Sequence, residues 1–192
     1  MALNPSYIAI YTITRRELVR MFRISSQVFL PAVITTTLYL LIFGTLIGRR
    51  IGSVEHFPYA LFITPGLIMM TVISNAYSNV STSLFSARFQ KSIEEILVSP
   101  VSDGILLFGY TIGGILRGVI VASLVFIIAS FFVAEVHFRQ LPSTLGVVIL
   151  VAMLFSLAGF ANALFAKTFD DIMLVPTFLL TPLTYLGGVF YS

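Results

Sequence analysis

"GILLFGYTIGGILRGVIVASLVFIIASFFV", residues 104–133, is a run of thirty residues with a single charge, Arg117. As an α-helix it would be about 45 Å long at ~1.5 Å per residue, against a hydrocarbon core of ~30 Å. One such run alone could be a soluble core helix. Four more apolar segments accompany it, at approximately 27–48, 57–84, 143–166 and 172–191, each near the roughly 20 residues that a spanning helix needs. Five of them in 192 residues argue against a soluble fold. The expected class is all-α, a polytopic integral membrane bundle. The third run must tilt, or its first turns stand in the cytoplasm.

Composition agrees. The chain is 58% hydrophobic and 10% charged, with a mean hydropathy of +1.02, whereas soluble domains are about half apolar and a quarter charged. With no cysteine, disulfides, thiolate metal sites and cysteine nucleophiles are all excluded. The net charge of +3 does not point to nucleic acid, because the basic residues lie in short connectors between apolar runs rather than on one soluble face.

Residues 1–26 form a separate unit, ahead of a transmembrane domain over 27–192. Their segment "ITRRELVRMFRI" sets Arg15, Arg16, Arg20 and Arg23 among Ile13, Leu18, Val19 and Phe22, the mark of an amphipathic basic helix lying along the membrane surface. The apolar stretch that follows is too long for a signal-peptide core and no A-x-A-like site closes it. With the N-terminus inside, Arg15, Arg16, Arg20, Arg23, Arg88, Lys91 and Lys167 face the cytoplasm, while Arg49, Arg50 and Arg139 lie outside. Basic residues favour the cytoplasmic side, so the N-inside orientation is expected.

One cytoplasmic connector is unusual. "FQKSIEEILVSPVS", residues 89–102, carries Lys91, Glu94 and Glu95 within five positions and then a proline. Ser92 and Glu95 have capping-box spacing, and Pro100 restricts Ser99 and ends the helix. Phe89, Ile93, Ile96 and Leu97 would share one side, with Gln90, Lys91, Glu94 and Glu95 on the other. So short a helix is marginal alone and must be held by membrane or by protein; its acidic residues fit a protein groove better than an anionic leaflet.

Two stretches, "FITPGLIMMTVISNAYSNVSTSLFSARFQKSIEEILVSPVS" (62–102) and "LFAKTFDDIMLVPTFLLTPLTYLGGVFYS" (164–192), resemble the type-2 permeases of ATP-binding-cassette (ABC) transporters, bacterial exporters of drugs, polysaccharides and lipo-oligosaccharides. The resemblance covers nearly the whole chain. It implies a coupling helix at 89–100 that docks on a separate ATPase through Phe89, Ile93, Glu94, Glu95, Ile96, Leu97 and Ser99, and a second contact at "KTFDD", with Asp170 and Asp171. It further implies an inner-membrane homodimer of permeases with two ATPase copies that carry the ATP and Mg, and an amphiphilic or lipid-linked substrate moved outward. The chain itself would bind no cofactor and catalyse no reaction. Family members have six spans with a re-entrant hairpin before the last; five are read here, so a chain incomplete at its C-terminus is expected.

The remaining constellations carry less. A phosphate-cradling loop ending at Lys167-Thr168 would need glycine at 161 and 166, and both are alanine. His56 and His137 stand apart, beside Glu55 or near Glu135 alone, without the clustered ligands of a metal site. Thr71, Asn75, Ser78, Asn79 and Thr82, followed by Ser86, form a polar stripe on the second span. It either lines a wet substrate path or joins helices by hydrogen bonds. Arg117 either snorkels toward the cytoplasm or pairs with a carboxylate such as Asp170. Gly109-x-x-x-Gly113 and Gly114-x-x-x-Gly118 allow close helix approach, within one subunit or between two. Pro176 and Pro182 foretell a bent last span. An ion-coupled secondary transporter would want an inverted repeat and carboxylates within the membrane, whereas all eight acidic residues, Glu17 among them, read as lying at or outside span ends. A passive membrane assembly subunit is the other alternative.

Overall fold

The computed structural model describes residues 5–48, 53–54, 57–98, 101–133 and 141–186. Helix α1 (Pro5–Arg23) is separated by Ile24 alone from α2 (Ser25–Tyr39), which continues as a π-helix over Leu40–Ile47. A two-residue antiparallel pair follows, β1 (Ser53–Val54) with β2 (Phe57–Pro58). Then come α3 (Tyr59–Phe89), the short α4 (Ser92–Val98), α5 (Asp103–Phe132) and α6 (Leu141–Phe165). The last span starts as α7 (Phe169–Leu174), passes through a π-helical turn (Val175–Leu180) and ends as α8 (Thr181–Leu186). Among the described residues, five helices are long and apolar enough to cross a membrane: Ser25–Leu46, Tyr59–Phe89, Asp103–Phe132, Pro142–Phe165 and Phe169–Leu186. The fold is the expected polytopic helical bundle.

Helix α3 is its axis, packed against both α5 and α6. Gly114 and Gly118 of α5 make that junction possible: a Cβ at Gly114 would lie 2.7 Å from Val80 Cγ2, and one at Gly118 would lie 3.3 Å from Ala152 Cβ. Gly109 and Gly113 face the other way, toward α1, where a Cβ would stand 2.8 Å from Ile13 Cγ2 and from Glu17 Cβ respectively. Both glycine pairs are therefore used inside one subunit. Exposed Leu145, Val147, Leu150 and Leu154 on α6 and Leu30, Ile34 and Leu38 on α2 give the apolar outer surface expected of a membrane bundle, since lipid tails solvate apolar side chains as well as other helices do.

Helix α1 differs from a purely surface-lying helix. Ile13, Glu17 and Met21, spaced four apart, are buried against the bundle, while Arg15, Arg16, Tyr7, Tyr11 and Phe22 are exposed. Packing on α5 holds it, whatever its outer face meets. In the last span, Pro176 has no N–H to offer the Ile172 carbonyl. Asn162 Nδ2 on α6 donates to that carbonyl instead, at 3.4 Å, and the chain takes a π-helical turn at this proline.

Candidate functional site

The end of α3 shapes the connector. Lys91 has a left-handed backbone, φ 57°, and its N–H donates to the Arg88 carbonyl at 3.0 Å. This closes α3 and starts α4 at the next residue. Ser92 consequently lies inside α4, and its hydroxyl donates to the Ala87 carbonyl at 3.3 Å. The capping box expected of Ser92 and Glu95 gives way to this turn. Its counterpart occurs at the start of α7, where Thr168 Oγ1 accepts from the Asp171 N–H at 3.2 Å and Asp171 Oδ2 accepts from Thr168 N–H at 2.9 Å.

The two segments assigned to docking meet. Phe169 stands edge-on to Phe85, 4.8 Å between centroids, and to Phe89, 5.2 Å. Arg88 Nη1 donates to the Ala163 carbonyl and, at 2.8 Å, to that of Leu164, covering the last carbonyls of α6. The outcome is one patch, in which Phe89 (68% exposed), Glu94, Glu95, Val98 (87% exposed), Phe169 and Asp170 face outward. Ile93 and Ile96 do not belong to it. They pack inward on a core of Ile13, Val80, Leu84, Leu106, Ala163 and Ile172. Asp171 is engaged in capping, and its carboxylate also accepts from Lys167 N–H at 2.9 Å. Ser99, Pro100, His56, His137, Glu55, Glu135, Arg49, Arg50 and Arg139 lie outside the described residues, as does the side chain of Leu97.

Deeper in the bundle is a charged cluster that the sequence did not announce. Glu17 is 2% exposed. Its Oε2 pairs with Arg20 Nη2 at 2.8 Å, and its Oε1 accepts from Ser83 Oγ at 2.5 Å. The same Arg20 nitrogen lies 2.8 Å from Asn79 Oδ1 and 3.0 Å from the Asn79 carbonyl. Arg117 meets Asn75 Oδ1 through Nε and Asn79 Oδ1 through Nη1, both at 3.3 Å. So Arg117 neither snorkels nor pairs with Asp170: two asparagine side chains of α3 hold it, near the Glu17–Arg20 pair. Glu17, read as lying at or outside span ends, does stand on α1, ahead of the first span, but it is buried against α5 and α3 rather than exposed. The available signal was its place in the Ile13, Glu17, Met21 series, a carboxylate on the apolar stripe of α1.

The polar stripe on α3 divides. Asn79 belongs to the cluster. Thr82 donates to the Ser78 carbonyl at 2.6 Å, which turns it back on its own helix. Thr71 and Asn75 open onto a groove of about 220 Å³ between α2 and α3, with Gln27, Thr35, Thr36, Tyr39, Ser74 and Arg117 among its walls.

Comparison with known proteins settles the family. The family model described as ABC-2 type transporter matches residues 8–192. The chain belongs to the ABC-2 type transporter family. This permease is 54% identical over 187 residues to the inner membrane transport permease YadH of Escherichia coli strain K12, covering 97% of the chain and 72% of that protein. It is 24% identical over 161 residues to Nodulation protein J of Sinorhizobium fredii, covering 81% of the chain and 59% of that protein. The Rhizobium leguminosarum Nodulation protein J is 20% identical over 155 residues, 80% of the chain and 60% of that protein. No solved structure matches. The five apolar helices and these relatives describe a multi-pass permease of the inner membrane.

Proposed function

We propose that this permease is the membrane half of an exporter, with its N-terminus in the cytoplasm, and that it receives ATP-driven motion through the patch formed by α4 and Thr168–Asp170. One observation carries this reading: two segments 70 residues apart, each implied to touch an ATPase, form one continuous surface joined by Phe89 and Phe169. Its outer residues combine apolar Phe89, Val98 and Phe169 with acidic Glu94, Glu95 and Asp170, which suits a partner groove with basic walls. Ile93 and Ile96 provide the transmission. They seat α4 on the core shared by α1, α3, α5, α6 and α7, so displacement of α4 loads several helices at once. Two ATPase copies, holding ATP and Mg, would serve a homodimer of permeases and move an amphiphilic or lipid-linked substrate outward. The carboxylate of Glu17 does not favour an ion-coupled transporter, because Arg20 and Ser83 already engage both its oxygens.

The test is charge reversal on the outer face. Glu94→Lys with Glu95→Lys should abolish co-purification of the partner ATPase, while the permease still inserts and stays monodisperse in detergent. Retention of a full ATPase complement in that double variant would remove the patch from the coupling path.

A further inference from the structure

The cluster of Glu17, Arg20 and Arg117 contains two guanidiniums and one carboxylate, and that carboxylate is engaged by Arg20 and Ser83. Arg117 is left with two long contacts, both 3.3 Å, to neutral amide oxygens. Arg20 Nε, also buried, finds no acceptor among the described residues. The cluster is thus short of negative charge and of acceptors, and Arg117 lies well inside the apolar helix Asp103–Phe132. An uncompensated cation there is costly and usually faces a partner or a water-filled cavity. Arg117 does face one. It lies on the wall of the groove between α2 and α3, which is also lined by the polar side chains of Thr35, Ser74 and Gln27.

Size limits what can enter. The groove is about 220 Å³, below the roughly 300 Å³ at which pockets for whole drug-sized molecules begin. It fits a headgroup, and the exposed apolar residues Leu30, Ile34 and Leu38 on α2 offer lipid-like surface for a tail. We propose that this groove binds the anionic headgroup of an amphiphile, a phosphate or carboxylate, with Arg117 as the charge that selects it. The inference deepens the exporter reading and rests on it only for the role of the bound molecule as cargo. Guanidinium matches such oxyanions in a two-pronged geometry that no other side chain reproduces.

The test uses the purified permease with its ATPase in nanodiscs of zwitterionic lipid. Fluorescent phosphatidic acid and fluorescent phosphatidylcholine with identical chains are the probes. The phosphatidic acid should bind about tenfold more tightly, and Arg117→Gln should erase the difference while Arg117→Lys keeps part of it. Ser74→Asp puts a carboxylate on the same groove wall while keeping Arg117 and its two asparagine partners in the sequence, and should erase it too; this variant covers the case in which Arg117→Gln fails to fold. Inorganic phosphate at millimolar concentration should not displace the probe. Displacement would show a site for a free anion and overturn the amphiphile assignment. Equal binding of the two probes, or a preference unchanged by both substitutions, would overturn the proposal altogether. ATPase co-purification is read in the same samples. If it persists while the preference is absent, only this inference fails and the coupling surface stands.

Discussion

Glu17 shows how one residue can fasten an amphipathic helix to a bundle. Removing its carboxylate would leave Arg20 and Arg117 near each other without the anion that pairs with Arg20 and ties α1 to Ser83 of α3. Breaking a buried pair from one side costs about 3–5 kcal/mol, and Arg20, with its side chain 27% exposed, can recover part of that from solvent. Glu17→Ala should therefore destabilise the permease by about 3 kcal/mol, read as a lower midpoint in thermal unfolding in detergent. The double variant with Arg20→Ala should lose less than the sum of the two single changes, since the two side chains share one interaction. Additive losses would mean that the pair contributes nothing. Gly113→Ala belongs to the same contact: its new Cβ would come within 2.8 Å of Glu17 Cβ, and overpacking of this kind costs about 1–3 kcal/mol.

At the scale of elements, the short helix α4 separates what sequence could reveal from what it could not. Its existence was legible, because charge and Pro100 interrupt an otherwise apolar chain; its start was not, since the turn at Lys91 takes the place of the expected Ser92–Glu95 capping box. Nor was its facing. Periodicity places Phe89, Ile93, Ile96 and Leu97 together, but a two-turn helix can turn that side to a partner or to its own bundle. Here Ile93 and Ile96 face inward and Phe89 outward. The difference begins at Lys91, whose left-handed φ of 57° is not written in its residue type. The glycines of α5 were legible as close-approach sites, yet only the fold assigns Gly109 and Gly113 to α1. Ile96→Asp should consequently act through folding: a charge forced into that core costs several kcal/mol, and α4 should become protease-sensitive even without an ATPase. Ser92→Ala should be mild, since it removes one hydrogen bond to the Ala87 carbonyl, worth about 1 kcal/mol. Protease resistance of the Ile96→Asp permease equal to that of the unaltered chain would contradict the inward facing.

For the whole molecule, the central claim is that α4 and the α6–α7 turn are one docking surface on the cytoplasmic side. Orientation can be checked alone: cysteines at Ser53 and Ser92, in a chain with none of its own, should label from opposite sides of intact cells, Ser53 from outside. Labelling of both from one side would contradict the N-inside topology. The most direct measurement of the claim itself is site-directed cross-linking in membranes that contain the ATPase. A photoreactive side chain is placed singly at Glu94, Val98 and Asp170, on the exposed patch, and at Leu154, on the exposed flank of α6. The coupling surface predicts ATPase adducts from all three patch positions and none from Leu154. Adducts from Glu94 and Val98 without Asp170 would split the surface in two, and their absence from all three positions would contradict it.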